Sequence, residues 1–325
     1  MPEVFADIQT YIQSQNKKIS IIIGNGLSRK FFESFKYNSL FEEAYKTNSP
    51  EEKKLFIEFG TSNFEEVLWN LFIARKVHSA LDNNHPSIKI FDDLYSKIQE
   101  TFIETIKKIH PTYSAAVTAV KKICDQLKLF QRVFTTNYDL LIYWAIMQDE
   151  SNFTDRIVND ELRYDDHFEP LTHVYYLHGA LHLSQNAENP FYKIKREDGP
   201  EPDDCIDLLT KILTTPNYFP IYVAEGTWQK KLNKIRSVPY LNLSYEVLKE
   251  NYAHSVKESL PLVVYGLSLT ETFDKHIIDA IKGSRIKTIF YGIHNKQNLT
   301  ERFHQLHALF PNQNLFFFDS DCLFI

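Results

Sequence analysis

The sequence predicts an α/β fold: a doubly wound, parallel, Rossmann-like sheet with a helical insertion between its first and second core strands. Three observations predict it. Apolar, β-branched or aromatic runs recur at 19–23, 133–134, 174–177 and 262–265, and each continues into a small polar or glycine-containing motif. Such runs are continuous rather than alternating, as in strands covered on both faces. The chain's end alternates strand and helix patterns, the order that builds parallel βα units.

Residues 4–15 read as a short helix with Phe5, Ile8, Tyr11 and Ile12 on one face. The strand 19–23 follows, then a Gly24-Asn25-Gly26 loop leading into a helix through Phe35. From about 40 to 130 the pattern is helical. One long helix opens at Asn63-Phe64, with Ser62 or Asn63 as its cap. A second covers 88–109, broken off from the first by Pro86 and ended by Pro111. A third covers 113–129. The chain is therefore read as one domain over 1–325, with 40–130 as a cap inside it.

Strands resume at 133–134 and 174–177. The stretch 184–204, rich in Asn, Pro and charge, reads as a surface loop or lid. Residues 206–213 read as a short helix, and Pro216, Pro220 and Pro239 as punctuation. Pro261 precedes the strand 262–265. The closing order is helix 273–281, strand 286–291, helix 299–309 and strand 314–318.

Composition excludes several classes. The chain has 43% hydrophobic and 24% charged residues and a formal charge of −6, so no basic bias signals nucleic acid. Cys124, Cys205 and Cys322 are three, far apart, and without a C-x-x-C pair. That argues against a disulfide framework and against a four-cysteine zinc ribbon, and fits a reducing cytoplasm. No apolar run approaches the roughly 20 residues of a spanning helix, and residues 1–15 do not read as a signal peptide. With only 9 glycines in the chain, those in motifs carry information.

Four motifs carry the chemistry. Gly24, Asn25, Gly26 and Ser28 form a strand–turn–helix loop that suits a phosphate: glycines let the backbone approach and Ser28 offers a hydroxyl. Phe31 or Phe32 stands where a full dinucleotide fingerprint has a third small residue. Thr136-Asn137-Tyr138-Asp139 places an amide and a carboxylate two residues apart past a strand. Asn137 can hold a water and a ribose hydroxyl together, while Asp139 equally suits a helix cap. His178-Gly179 places a base for near-neutral pH at a strand end. His173 and His182 flank it without a metal-ligand pattern, so no metal is expected. Gly266-Leu267-Ser268-Leu269 is a second small loop, with Ser268 or Thr270 able to cap the next helix. All four leave the C-terminal ends of strands, where open α/β sheets bind ligands.

In this order the motifs resemble the sirtuin family. Gly24 to Ser28 is similar to its Gly-Ala-Gly-x-Ser loop, and Thr136 to Asp139 to its Gln-Asn-x-Asp motif with Thr136 in place of Gln. His178-Gly179 resembles its His-Gly, and Gly266 to Leu269 its Gly-x-Ser-Leu loop. Asn63-Phe64-Glu65-Glu66-Val67-Leu68 and the helical insertion resemble the zinc-ribbon-free sirtuin-like NADases of bacterial antiphage defence. The family's Pro-Asp-Phe-Arg stretch and zinc ribbon are absent, so an acyl-lysine peptide lacks a platform and no zinc is expected.

The resemblance implies an NAD+ glycohydrolase that releases nicotinamide and ADP-ribose, with NAD+ as substrate. It implies catalytic roles for Asn137, which orients ribose and water, for His178 as base, and for Asp139 near the carboxamide. It implies cofactor contacts from Gly24, Asn25, Gly26, Ser28, Thr136, Gly266 and Ser268. Asn295 and Asp319 are the candidates for adenine recognition. A homo-oligomer or a defence-complex partner is expected, activation coming from oligomerisation, a partner or the insertion. The alternatives are a non-catalytic NAD or ADP-ribose sensor and an effector subunit of a larger complex. Nuclease chemistry lacks its acidic cluster.

Overall fold

A computed structural model of the chain describes residues 5, 7–35, 40–62, 64–158, 161–162, 171–185, 192–193, 219–223, 227–250, 259–294 and 299–325. The expected helix at 206–213, most of the expected loop 184–204, the caps at Asn63 and Asn295's neighbourhood lie outside these residues.

The strands, in chain order, are β1 (Lys17–Ile23), β2 (Phe130–Thr135), β3 (Phe153–Thr154), β4 (Ile157–Val158), β5 (Glu161–Leu162), β6 (Thr172–Tyr176), β7 (Gly179–Gln185), β8 (Tyr192–Lys193), β9 (Phe219–Tyr222), β10 (Leu262–Tyr265), β11 (Thr288–Ile293) and β12 (Asn314–Asp319). Seven of them form one sheet in the order β12-β11-β10-β1-β2-β6-β3, and every neighbouring pair is parallel. The fold class is the expected one: a parallel α/β sheet flanked by helices.

The centre of the sheet is the most apolar part of the sequence. Ile19 and Ile21 to Ile23 of β1 are fully buried, as are Val133 and Phe134 of β2 and Leu262 to Val264 of β10. Burying one such side chain contributes about 1.5–3 kcal/mol. The strand order fixes where a ligand would sit. From β1 the chain builds outwards through β2 and β6 on one side, then returns to place β10 on the other. The reversal falls between β1 and β10, the position where open parallel sheets leave a crevice beyond their strand ends.

The chain divides into two compact units: residues 1–31, 116–179 and 227–325, and residues 32–115 with 180–226. The first holds the seven-stranded sheet. The second contains helices Leu40–Tyr45, Pro50–Glu58, Phe64–Leu81 and Ser87–Ile109, together with a small sheet ordered β8-β7-β9. Its division differs from the 40–130 cap expected from periodicity, because helix Tyr113–Leu127 falls mainly in the first unit and 180–226 joins the second.

Inside the second unit, Phe64–Leu81 and Ser87–Ile109 make a helical hairpin across a turn containing Pro86, with Arg75 Nε 2.7 Å from Asp92. The rings of Phe41, Phe56, Phe64 and Phe102 contact in series, tilted or edge to face, with centroids 5.1 Å apart at each step. Ser49 caps Pro50–Glu58 in a reciprocal capping box with Glu52.

Boundaries differ locally from expectation. The first helix covers Ile8–Ser14, with Asp7 accepting from Thr10 N–H. The helix after the glycine loop stops at Phe31, and a 3-10 turn, Glu33–Phe35, follows. Three-residue spacing eclipses side chains, so Phe32 and Phe35 meet edge to face and Phe35 packs on the His110 ring. Pro239, read as punctuation, is the first residue of helix Pro239–Glu250, the position where a missing N–H costs least.

Candidate functional site

The four sequence motifs leave the sheet from one level. Ile23 is the register partner of both Tyr265 and Thr135, and Thr135 is the partner of Tyr176. The next residues continue the ladder one step: Gly24 N–H bonds Tyr265 O, Thr136 N–H bonds Ile23 O, and Leu177 N–H bonds Thr135 O, at 2.9, 2.9 and 2.8 Å. Beyond this row stand Gly24-Asn25-Gly26, Asn137, His178 and Gly266, all in the first unit.

The β1 and β10 loops meet backbone to backbone. Gly26 N–H donates to Gly266 O at 2.9 Å. A Cβ on Gly26 would lie 2.4 Å from Gly266 Cα, and one on Gly266 would lie 2.7 Å from Gly26 Cα. Gly266 also has φ +65, a left-handed backbone that favours glycine. The glycines thus serve first to let two loops touch. Leu269, three residues on, holds φ 50 and is buried, a strained conformation for a side-chain-bearing residue.

The β10 loop is braced from β11 and the following helix. Tyr291 Oη donates to Leu267 O at 2.8 Å. Arg302 donates to Ser268 O and to Tyr291 Oη, and its guanidinium lies 5.1 Å from the Tyr291 ring centroid. Thr270 is the N-cap of helix Glu271–Gly283 without a side-chain cap bond. Instead the Asp274 carboxylate accepts from Thr270 N–H at 3.1 Å and from Ser268 Oγ at 3.3 Å.

Ser28, Asn137 and Asp139 form one buried chain of hydrogen bonds. Ser28 Oγ donates to Asp139 Oδ2 at 2.5 Å, and Asn137 Nδ2 donates to Ser28 Oγ at 3.0 Å. Asp139 Oδ1 accepts from Leu141 N–H at 2.9 Å, at the start of helix Leu141–Met147. Asn137 N–H bonds Thr135 Oγ1 at 3.0 Å. The amide orientation follows from chemistry. A carboxylate only accepts, so the one Ser28 proton goes to Asp139; Ser28 Oγ must then accept, and the Asn137 atom facing it is the NH₂. Asn137 Oδ1 is therefore aimed away from Ser28. It is buried and has no hydrogen-bond partner among the described residues, an arrangement that calls for a ligand or water.

His178 is buried and sits directly before Gly179, whose φ of 74 turns the chain from β6 into β7. Its Nε2 lies 2.8 Å from Nε2 of His276, with the rings roughly stacked at 5.1 Å. Burial holds the His178 pKa well below the usual histidine value, with the neighbouring His276 and Lys231 adding to the effect. Burial, then Lys231, lowers His276 to about 3. Both rings are neutral at physiological pH. Tyr245 Oη donates to His276 O at 2.9 Å and fixes the helix turn that carries it.

The structure therefore joins Ser28, Asn137 and Asp139, and joins Gly24 and Gly26 to Gly266. It shows no direct bond from His178 to Asn137 or Asp139 among the described residues. Thr136 is tied to Ile23 O through both its N–H and its hydroxyl, at 2.9 and 3.3 Å. Asn25 is exposed, and its carbonyl starts the helix by accepting from Arg29 N–H. Asp319 accepts from Asp321 N–H at 3.0 Å, and Asn295 is outside the described residues. His173 is the second residue of β6, towards the opposite strand end from His178, and among the described residues no group of three metal-type side chains converges. Sequence reasoning missed His276, Arg302 and Tyr291.

A family model described as Domain of unknown function (DUF4917) matches residues 21–323. The chain belongs to that family. The match begins inside β1 and ends past β12, so the DUF4917 region contains all four loops beyond the strand row. No curated protein is matched by this DUF4917 chain. No helix among the described residues is long and apolar enough to cross a membrane.

Proposed function

We propose that the protein is an NAD+ glycohydrolase that releases nicotinamide and ADP-ribose, acting in the cytoplasm as an antiphage effector, as a homo-oligomer or beside a defence partner. The observation that carries this reading is the uncommitted Asn137 Oδ1, a buried acceptor of fixed direction beyond the strand row that ends in β1, β2, β6 and β10. A water or a ribose hydroxyl meets that atom's need. The reaction breaks the bond between ribose C1′ and the nicotinamide nitrogen. Nicotinamide departs neutral with the bonding electrons, water supplies hydroxide to C1′, and one proton goes to solvent. The transition state is oxocarbenium-like, so positioning and fixed dipoles supply most of the rate. Asn137 Oδ1 holds the attacking water or the adjacent hydroxyl, and His178 bonds the ribose end of the ligand.

The roles divide along the hydrogen bonds. Asp139 and Ser28 spend their polar atoms on Asn137 and on the helix start, so they position the amide rather than touch the reacting bond. The test is the pure full chain with NAD+, following free nicotinamide and ADP-ribose. We expect equal release of both. Asn137→Ala or His178→Ala lowers turnover by at least about 10²-fold with the fold retained by circular dichroism. Wild-type turnover in either variant overturns the assignment.

A sensor that binds NAD or ADP-ribose without turnover is the second reading. It is favoured by the engagement of His178 Nε2 with His276, which leaves the crevice few free polar groups. NAD binding measured by calorimetry without nicotinamide release selects it.

A further inference from the structure

The His178–His276 contact admits a narrow set of proton arrangements. Two ring nitrogens 2.8 Å apart need one hydrogen between them. With none, lone pair faces lone pair; with two, N–H faces N–H, and both arrangements are repulsive at this distance. That leaves two directions. If His178 donates, neutral His276 must carry its proton on Nδ1. That atom is buried with no hydrogen-bond partner among the described residues, and an orphaned buried N–H is among the rarest features of folded proteins. If His276 donates from Nε2, its Nδ1 holds only a lone pair, the lesser defect.

We infer that His276 is a positioning residue for His178: it donates Nε2–H to His178 Nε2, fixes the ring, and leaves His178 as the Nδ1–H tautomer, a neutral hydrogen-bond donor. This rests on the reading that Asn137 and His178 face one ligand, and it alters the part that His178 plays there. The basic nitrogen of His178 is occupied by the partner ring, and the nitrogen left for a ligand carries a proton. The ligand group it meets is an acceptor oxygen, a ribose hydroxyl oxygen or a carboxamide carbonyl, rather than a proton to be removed. Paired with the Asn137 acceptor, the crevice offers one acceptor and one donor of fixed direction, the complement of a ribose diol. The groups packed around the pair are Lys231 from helix Trp228–Ser237 and Tyr245 from helix Pro239–Glu250, the latter bonded to the His276 carbonyl.

The test reads the tautomer directly. Full-length protein with nitrogen-labelled histidine rings is recorded in proton–nitrogen correlation spectra, with signals assigned by His178→Asn and His276→Gln. We expect His178 to carry its proton on Nδ1 and His276 on Nε2. His276→Gln keeps an amide donor at this point and preserves the His178 pattern. His276→Leu removes the donor and shifts His178 towards the Nε2–H form. If NAD+ is cleaved, His276→Leu loses about tenfold in kcat with a smaller change in KM, and His276→Gln restores most of it. A wild-type His178 protonated on Nε2, or a pattern indifferent to His276→Leu, overturns the proposal. Should His276→Leu fail to fold, the wild-type and His276→Gln spectra still decide. The spectra need no turnover, so a protein that leaves NAD+ intact fails the functional reading without failing this one.

Discussion

The two sides of the strand-end row are built differently. On the β1–β10 side, Gly26 and Gly266 put backbone against backbone, and the loop carbonyls are occupied by Gly26 N–H, Tyr291 and Arg302. On the β2–β6 side, side chains do the work: Ser28 reaches across to Asn137 and Asp139, and His178 meets His276. The first side has no room for an added methyl. The second has buried polar atoms without hydrogen-bond partners among the described residues, Asn137 Oδ1 and His276 Nδ1. Close backbone contact is thus concentrated where the β1 and β10 loops meet, while the polar side-chain bonds run from the helices after β1 and β10 to the residues beyond β2 and β6.

The strongest way to break this division is to add one carbon to the first side. Gly266→Ala faces Gly26 backbone atoms at 2.7 to 2.9 Å on a left-handed φ. It should cost about 3 kcal/mol, overpacking and backbone strain together. Denaturant unfolding measures it, and a midpoint equal to wild type would mean that the two loops do not touch. Ser28→Ala sharpens the division from the other side. It leaves Asp139 Oδ2 and Asn137 Nδ2 without their shared hydroxyl and should cost about 2 kcal/mol. Because the amide is then free to turn over, ligand affinity should fall by more than stability alone explains; equal affinity in calorimetry would show that the hydroxyl does not set the amide.

The smallest effect concerns pH. Both rings of the histidine pair are held below the ordinary value of 6.5, His276 at about 3, so the unfolded chain takes up protons first as pH falls. Stability is complete above pH 6.5, declines below it, and levels off only near the folded pKa values. At pH 6 the loss from the His276 ring is about 1 kcal/mol, and His178 acts in the same direction. His276→Gln should flatten this slope in unfolding measured between pH 7.5 and 5.5; an unchanged slope would place the titration elsewhere.

Much of the sheet was legible because its strands are buried on both faces. Leu262–Tyr265 was bounded to the residue; β1 was under-extended at Lys17-Lys18, and β2 at Phe130 to Arg132, where two polar residues interrupt the apolar run, and at Thr135, which reads as part of the motif. Phe153–Thr154 escaped notice: two residues at a sheet edge have no periodicity to read. Strands β7 and β9 were missed because they pair within the second unit, and a pairing between distant segments leaves no local signature.

The motif residues were legible for a different reason, each being a small or polar residue directly after an apolar run. What the spacing did not reveal is which of them answer one another. Asp139 reads equally as cap or ligand group, and it is bonded to both Leu141 N–H and Ser28. His276 lay hidden inside an amphipathic helix. The one available signal was a polar residue among the positions that bury Ile277, Ile278 and Ile281, which says that a partner is required and not which one.

The shared row of register partners also acts as a ruler. Tyr265, Ile23, Thr135 and Tyr176 lie on four adjacent strands, so the loops beyond them are separated by three inter-strand gaps of about 4.8 Å, a footprint of roughly 14 Å. A compact anion seated at one loop leaves the far pair untouched. Occupancy of the whole ledge demands an elongated guest with recognisable groups at both ends, and competition between short fragments, each protecting a different rim, would map that length without any knowledge of the guest's name.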